Sequence, residues 1–333
     1  MKKALKWTGI VLLCPVLLII ILAALLYVPP IQNWVAQRVA AYASEATGME
    51  ITVEHVDLDF PLDLGVDGVR IVNQGDTIAD IRRAVVDVQL WPLLKDKVVI
   101  DALELNDAKV NTTDFIGDMR LQGTIGQLTF SSPGIHLNTL EMELARPTLR
   151  NSDLTVYMSD TAAIDTSGVG WRIRFDRFDL DRSRIAIVID SAALFPDSAT
   201  HIQATMGQAS IADGDIDLGL GRYAFGKVDW KDGALSYNDL FAMSQLNLGI
   251  DSLYSYGNEL RVGISHASLH EDSTGLAVEQ LQGTLAMDGE RLHVGNLKAR
   301  TPYSAVNADA EIDFASPLTP QLKIDALLGK EDI

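Results

Sequence analysis

The chain has one cysteine, Cys14, so no disulfide can form within it and any exported part must fold by burial alone. Aromatic residues are scarce at 7% beside a 47% apolar share, and abundant Asp, Gly and Val favour sheet over helix. Basic residues are outnumbered, 27 Lys+Arg against 45 Asp+Glu, for a net charge of −18. That balance argues against nucleic acid and anionic head groups as partners, and solubility accounts for it.

Signatures of chemistry are missing as well. There is no Gly-x-Ser-x-Gly, no phosphate-cradling Gly-Lys-Ser/Thr and no dinucleotide fingerprint. His266 and His270 have the spacing of two zinc ligands on a helix, but Ala267-Ser268-Leu269 is strand-like and no third ligand stands near. Asp213, Asp215 and Asp217 imitate a calcium loop, yet Leu218 replaces the turn glycine and Ala224 the bidentate carboxylate. Arg172 to Arg184 mix both signs as a solvated strand face does, and Asn111-Thr112-Thr113 is a sequon that chance supplies. No catalytic residue, metal ligand or cofactor site is expected.

What is present begins with a run of 22 uncharged residues, Trp7 to Val28, led by Lys2, Lys3 and Lys6. About 20 apolar residues span a bilayer, so this is expected to be an uncleaved anchor, with Trp7, Leu12, Leu17, Ile20 and Leu25 facing lipid. The positive-inside bias places the amino terminus in the cytoplasm and the rest across the membrane. A cleaved signal peptide would have a shorter run and a small-x-small site, which Tyr27-Val28-Pro29-Pro30 does not offer.

Residues 29–48 carry the only other helical pattern. Ile31, Trp34, Val35, Val39, Tyr42 and Ala46 recur every three or four residues, with Gln32, Asn33, Gln37 and Ser44 on the other face and Gly48 at the stop. The polar face lacks a basic belt, so the helix is expected to cap the end of a sheet and not to lie on a membrane.

From Met49 the period becomes two. Ile51 and Val53 alternate with Thr52 and Glu54, and the phase flips at His55 before Val56 and Leu58. Ala84, Val86, Val88 and Leu90 alternate with Arg83, Asp87 and Gln89; Val98 and Ile100 resume after Lys95-Asp96-Lys97. One short pattern recurs: apolar, x, apolar, x, x, small, x, apolar. It fits Leu103, Leu105, Ala108, Val110; Phe178, Leu180, Ser183, Ile185; Ala209, Ile211, Gly214, Ile216; and Val228, Trp230, Gly233, Leu235. Strand, tight corner at the small residue, next strand is the expected meaning.

These features predict an all-β chain, an elongated curled antiparallel sheet preceded by one transmembrane helix and one short amphipathic helix. The units are the basic stub and anchor at 1–28, the capping helix at 29–48, and the sheet at 49–333. The last residues close no recognisable element, so the sheet is expected to continue beyond this chain. Strands plus turns of around 14 residues give about 20 strands and a length on the order of 100 Å.

The anchor, Pro29-Pro30 and its helix, then Gly48-Met49-Glu50-Ile51-Thr52-Val53, Gly65-Val66-Asp67-Gly68-Val69-Arg70-Ile71 and Leu93-Leu94-Lys95-Asp96-Lys97-Val98-Val99-Ile100, resemble the AsmA-like superfamily. Within it the chain is most similar to the amino-terminal region of the TamB, or translocation and assembly module, family; the ordered part of the match covers roughly residues 1–110. The resemblance implies an inner-membrane anchor and a curled periplasmic sheet whose apolar groove carries phospholipid acyl chains toward the outer membrane of a diderm bacterium. It also implies an outer-membrane assembly-factor barrel as partner, contacted by a carboxy-terminal domain outside this sequence. Ile51, Val53, Ala84, Val86, Val88, Leu90, Val98 and Ile100 are the expected groove lining. The alternative is an assembly scaffold for outer-membrane or secreted β-proteins, acting by strand addition at a sheet edge.

Overall fold

A computed structural model describes residues 29–59, 63–88, 97–112, 120–136, 138–159, 170–190, 199–238, 240–314 and 319–330. The anchor expectation falls on residues 1–28 and Leu90 on 89–96, both outside the described residues. Among the described residues no helix is long and apolar enough to cross a membrane.

Among the described residues one helix, α1 (Pro29–Thr47), precedes eighteen strands that form a single curled sheet. The first strands are β1 (Glu50–Thr52), β2 (His55–Asp59), β3 (Asp63–Asn73), β4 (Asp76–Val88), β5 (Lys97–Asn111) and β6 (Arg120–His136). Then come β7 (Glu141–Arg150), β8 (Asp153–Ser159), β9 (Arg172–Asp190), β10 (Thr200–Asp217), β11 (Arg222–Phe225) and β12 (Val228–Tyr237). The last six are β13 (Phe241–Tyr256), β14 (Glu259–Glu271), β15 (Ala277–Asp288), β16 (Arg291–Arg300), β17 (Ala305–Asp313) and β18 (Thr319–Leu327).

Strands that neighbour in sequence neighbour in the sheet. Three positions are shared by two strands each: β1 and β2 both pair with β3, β7 and β8 both with β6, and β11 and β12 both with β10. Eighteen strands therefore make fifteen positions across, and at ~4.8 Å per interval the sheet is about 70 Å long. That is shorter than the expected 100 Å because the strands run as long as the 19 residues of β9.

The sheet is not antiparallel throughout. β7 and β8 form one nearly continuous strand that runs parallel to β9, from Glu141 beside Arg172 to Ser159 beside Asp190. Flat, such a strand would measure about 60 Å over its eighteen steps. The link from Ser159 back to Arg172 has thirteen steps and reaches about 47 Å at most. The strand must therefore bend, which is the curl of the sheet seen along one strand.

The recurrent pattern explains the bend and corrects the corner reading. All four copies lie inside strands β5, β9, β10 and β12. In each, the residue just before the small one has a left-handed backbone: Asp107 (φ 51), Arg182 (φ 44), Asp213 (φ 53) and Asp232 (φ 50). Arg146 before Pro147 and Asn151 before Ser152 repeat it, as do Gln245 before Leu246 and Asn296 before Leu297. The left-handed residue acts as a bulge does, bending the strand and shifting its alternation by one; in β12 the pairing register shifts with it, whereas β9 and β10 break opposite each other and keep register. The doubled "x, x" is that shift, and it keeps the apolar residues before and after the bulge on one face.

The crease is tightly packed. A Cβ at Gly126 would stand 2.6 Å from the carbonyl oxygen of Asn151, and one at Gly207 would stand 2.8 Å from Cβ of Asp232. Serines satisfy the backbone groups freed there: Ser152 N–H donates to Ser183 Oγ (3.3 Å), while Gly126 N–H donates to Ser152 Oγ (3.2 Å). Their hydroxyls then donate to the carbonyls of Asp181 and Arg150, both at 2.9 Å. The phase flip near His55 is a break of the same kind, where Glu54 N–H donates to Asp67 O (3.1 Å) and Gly68 takes φ +63.

Helix α1 packs on β1 and β2, as a cap does, but with the opposite face to the one its amphipathic pattern suggests. Gln32 is buried at 7% exposure and Ala40 at 5%, whereas Trp34 is 63% exposed. Val56 N–H donates to Asn33 Oδ1 (3.0 Å), Gln37 Nε2 donates to Val53 O (2.8 Å) and Ile51 N–H donates to Ser44 Oγ (2.9 Å). A sheet edge presents bare backbone donors and acceptors, so a polar helix face fits it better than an apolar one. The side chains of Ile31, Val35, Val39 and Tyr42 lie outside the described residues.

Candidate functional site

Cα-paired residues on adjacent strands project to the same side of a sheet. Starting from β2, one row of such pairs runs Val56, Val66, Ala84, Leu105, Leu128, Leu149 and Leu180, reaching β9. It continues without a break through Ala209, Trp230, Leu248, Ala267, Leu281, Ala299, Val306 and Ala326 to β18. All fifteen positions are apolar.

Two further rows flank it on the same face. Val86, Leu103 and Phe130 lie on one side; across the crease, Ile51, Ile71, Ala79, Val110, Gly123, Leu154, Ile185 and Ala204 lie on the other. Val110, Leu154, Ile185 and Ala204 pack against the central cluster of Ala108, Ile125, Leu149, Leu180, Met206 and Ala209, which puts both sides of the crease on one surface.

The opposite face is polar at the same rungs, for example Asp67, Arg83, Asn106, Gln127, Arg150, Asp181, Gln208 and Lys231 in one paired row. Ion pairs bridge neighbouring strands there. Arg172 holds Asp215 through two bonds, Nε to Oδ1 at 3.0 Å and Nη2 to Oδ2 at 2.7 Å, which keep that carboxyl below its usual range and the guanidinium above its own. Asn106 and Gln127 donate to Glu104 and likewise lower its pKa.

The apolar face is a core in its middle and a surface towards β18. Leu149 (5%), Phe175 (7%), Leu180 (3%) and Met206 (9%) are buried, and among the described residues no charged residue is. Burial also fades along the row: Val56, Ala84, Leu149, Leu180, Ala209 and Ala267 are buried, but no member from Leu281 onward is. On β18, Leu322 and Ile324 share the face of Ala326 and are 59% and 61% exposed.

Of the expected lining, Ile51, Ala84 and Val86 fall on this face, and Ile100 is buried at 8% beside Ser132. Val53 occupies the break between β1 and β2, its carbonyl taken by Gln37. Val88 and Val98 lie in strands, with side chains outside the described residues. Trp230 and Phe178 were missed as lining, though both stand in copies of the recurrent pattern. Their signal was present once that pattern is understood as a bulge.

His266 and His270 lie on β14, paired with Gly249 and Ser244, and Asp213 is a bulge residue. No family model matches the chain, and no curated protein matches it.

Proposed function

We propose that this chain is an inner-membrane-anchored, AsmA-like conduit of the diderm periplasm, whose apolar face carries phospholipid tails between the two membranes. The single observation that carries the reading is the unbroken apolar row across all fifteen strand positions, set against polar rows on the reverse face. A fold stabilised only by its own core needs apolar residues in its middle; it does not need them to continue, half-exposed, to the last strand.

The magnitudes favour such a surface. A lipid with ~30 methylenes in its tails faces a cost of about 24 kcal/mol in water, which limits crossing to roughly once per day. Covering half of that tail surface lowers the barrier to about 12 kcal/mol, where thousands of steps per second are allowed. A shallow, open trough suffices, and the lipid need not be enclosed.

A photo-crosslinking residue placed in cells at Val86, Leu105 or Leu281, with Asn106 and Gln208 as controls, tests the reading. Covalent phospholipid at the three row positions and at neither control is the expected result. Protein adducts in place of lipid, or adducts at neither set, would overturn the conduit.

A further inference from the structure

We propose that α1 docks on the bilayer surface through the face that carries Trp34 and Arg38, so that the β1/β2 end of the apolar row opens at the membrane interface. This rests on the anchor reading of Trp7–Val28. It commits to one occupant for that helix face, a zwitterionic phospholipid surface.

The orientation follows from contacts. Gln32, Asn33, Gln37, Ala40 and Ser44 face the sheet, by burial or by hydrogen bonds to the backbone of Ile51, Val53 and Val56. At about 100° per residue, Trp34 and Arg38 stand more than 100° round the helix from Ala40. Trp34 is 63% exposed, and the Arg38 guanidinium lies 6.0 Å from the centre of its ring. An aromatic ring with a long cationic neighbour is the pairing that settles at the head-group level.

The position of the helix in the chain supplies the occupant. The uncharged run ends at Val28 and α1 begins at Pro29, so nothing separates them. Trp34 is five residues into the helix, a rise of about 7.5 Å even if the helix stood upright. The head-group layer on each side of a bilayer is about 5–8 Å deep, so Trp34 cannot leave it far behind. Among charged residues the helix holds only Arg38 and Glu45, so attraction to anionic lipid is not what holds it.

The docking has a consequence for the groove. Asn33, the neighbour of Trp34, is bonded to the amide of Val56, and Val56 begins the apolar row. A tail leaving the bilayer beside α1 would meet the row at its first residue.

The test uses the full chain with Cys14→Ala, reconstituted in phosphatidylcholine nanodiscs. Single cysteines carry a nitroxide at Trp34→Cys, at Arg38→Cys and, on the polar face of the sheet, at Arg83→Cys. Collision with oxygen, which partitions into lipid, is compared with collision by a water-soluble nickel chelate. The expected oxygen-to-nickel ratio is several-fold higher at 34 and 38 than at 83. Equal ratios would overturn the docking, and so would a label at 34 shielded from both reagents, which would mean that a protein covers the face.

The outcome is independent of the conduit test. A lipid-facing label at 34 with no lipid adduct at Val86 would leave the docking standing and remove the conduit. Adducts at Val86 with a water-exposed label at 34 would do the reverse.

Discussion

The indole of Trp230 occupies the space that a side chain at Gly233 would need: a methyl carbon there would stand 2.0 Å from Nε1. The ring is held in place by its own donor, Nε1–H bonding the carbonyl of Thr205 on the adjacent strand at 3.2 Å. Gly233→Ala must therefore displace the largest side chain of the apolar row. We expect a loss of about 1–3 kcal/mol, read as a lower urea midpoint with unchanged slope. An unchanged midpoint would mean that the ring has free room to move.

The left-handed residues at the crease make a second, opposite prediction. Arg182 has φ 44 and pairs with its neighbour Asp181 at the surface. Arg182→Gly should be at least as stable as the parent, whereas Arg182→Val should lose about 1–2 kcal/mol, since a β-branched residue resists that conformation. Thermal midpoints of the two variants differing in this order is the expected outcome; equal midpoints would show the bulge to be unconstrained.

A carboxylate placed on the apolar face should act differently in its middle and at β18. Leu180 is 3% exposed, and Leu180→Asp should cost about 4 kcal/mol or more by cavity and buried charge together. Leu322 is 59% exposed, so Leu322→Asp should change stability by no more than about 0.5 kcal/mol. If lipid travels the face, the second variant nevertheless lowers lipid adducts at Ile324. Undiminished adducts there would argue against passage along β18.

Glu271 gives a pH-dependent prediction. Its carboxylate accepts from the hydroxyls and amides of Ser273 and Thr274 in the turn after β14, which lowers its pKa to about 2. The unfolded value is about 4.3, so the folded state binds this proton less readily. The stabilisation is therefore fully present above about pH 4.3 and is lost as pH falls from there towards 2. The stability difference between the parent and Glu271→Gln should shrink over that window. A constant difference would show that the turn does not depend on the charge.

Much of this was legible in the residues. Period two at Ala84 and Val86 located the apolar face, because alternation is a local property that every rung preserves. The recurrent pattern was visible too, yet its meaning was not. A bulge and a hairpin both add a residue to the alternation, and the left-handed positions here are Asp, Arg, Asn and Gln, which do not announce themselves as glycine does. The amphipathic pattern of α1 separated two faces without telling which one meets the sheet. Knowing that its target was an unpaired edge would have decided it for Asn33, Gln37 and Ser44. Strand direction is encoded nowhere in an apolar alternation, so the parallel step from β8 to β9 had no signal.

At its first edge the sheet is closed by α1, which bonds β1, β2 and the break between them through side chains. Because each strand bonds only to near neighbours in sequence, the sheet behaves as a one-dimensional zipper in which a strand can be released without disturbing those beyond the next. Amide hydrogen exchange should then differ from strand to strand and be slowest around β9 and β10, where the buried cluster lies. Loss of order at one rung would stay local, so a single strand could open and close while the helix-capped edge keeps its place.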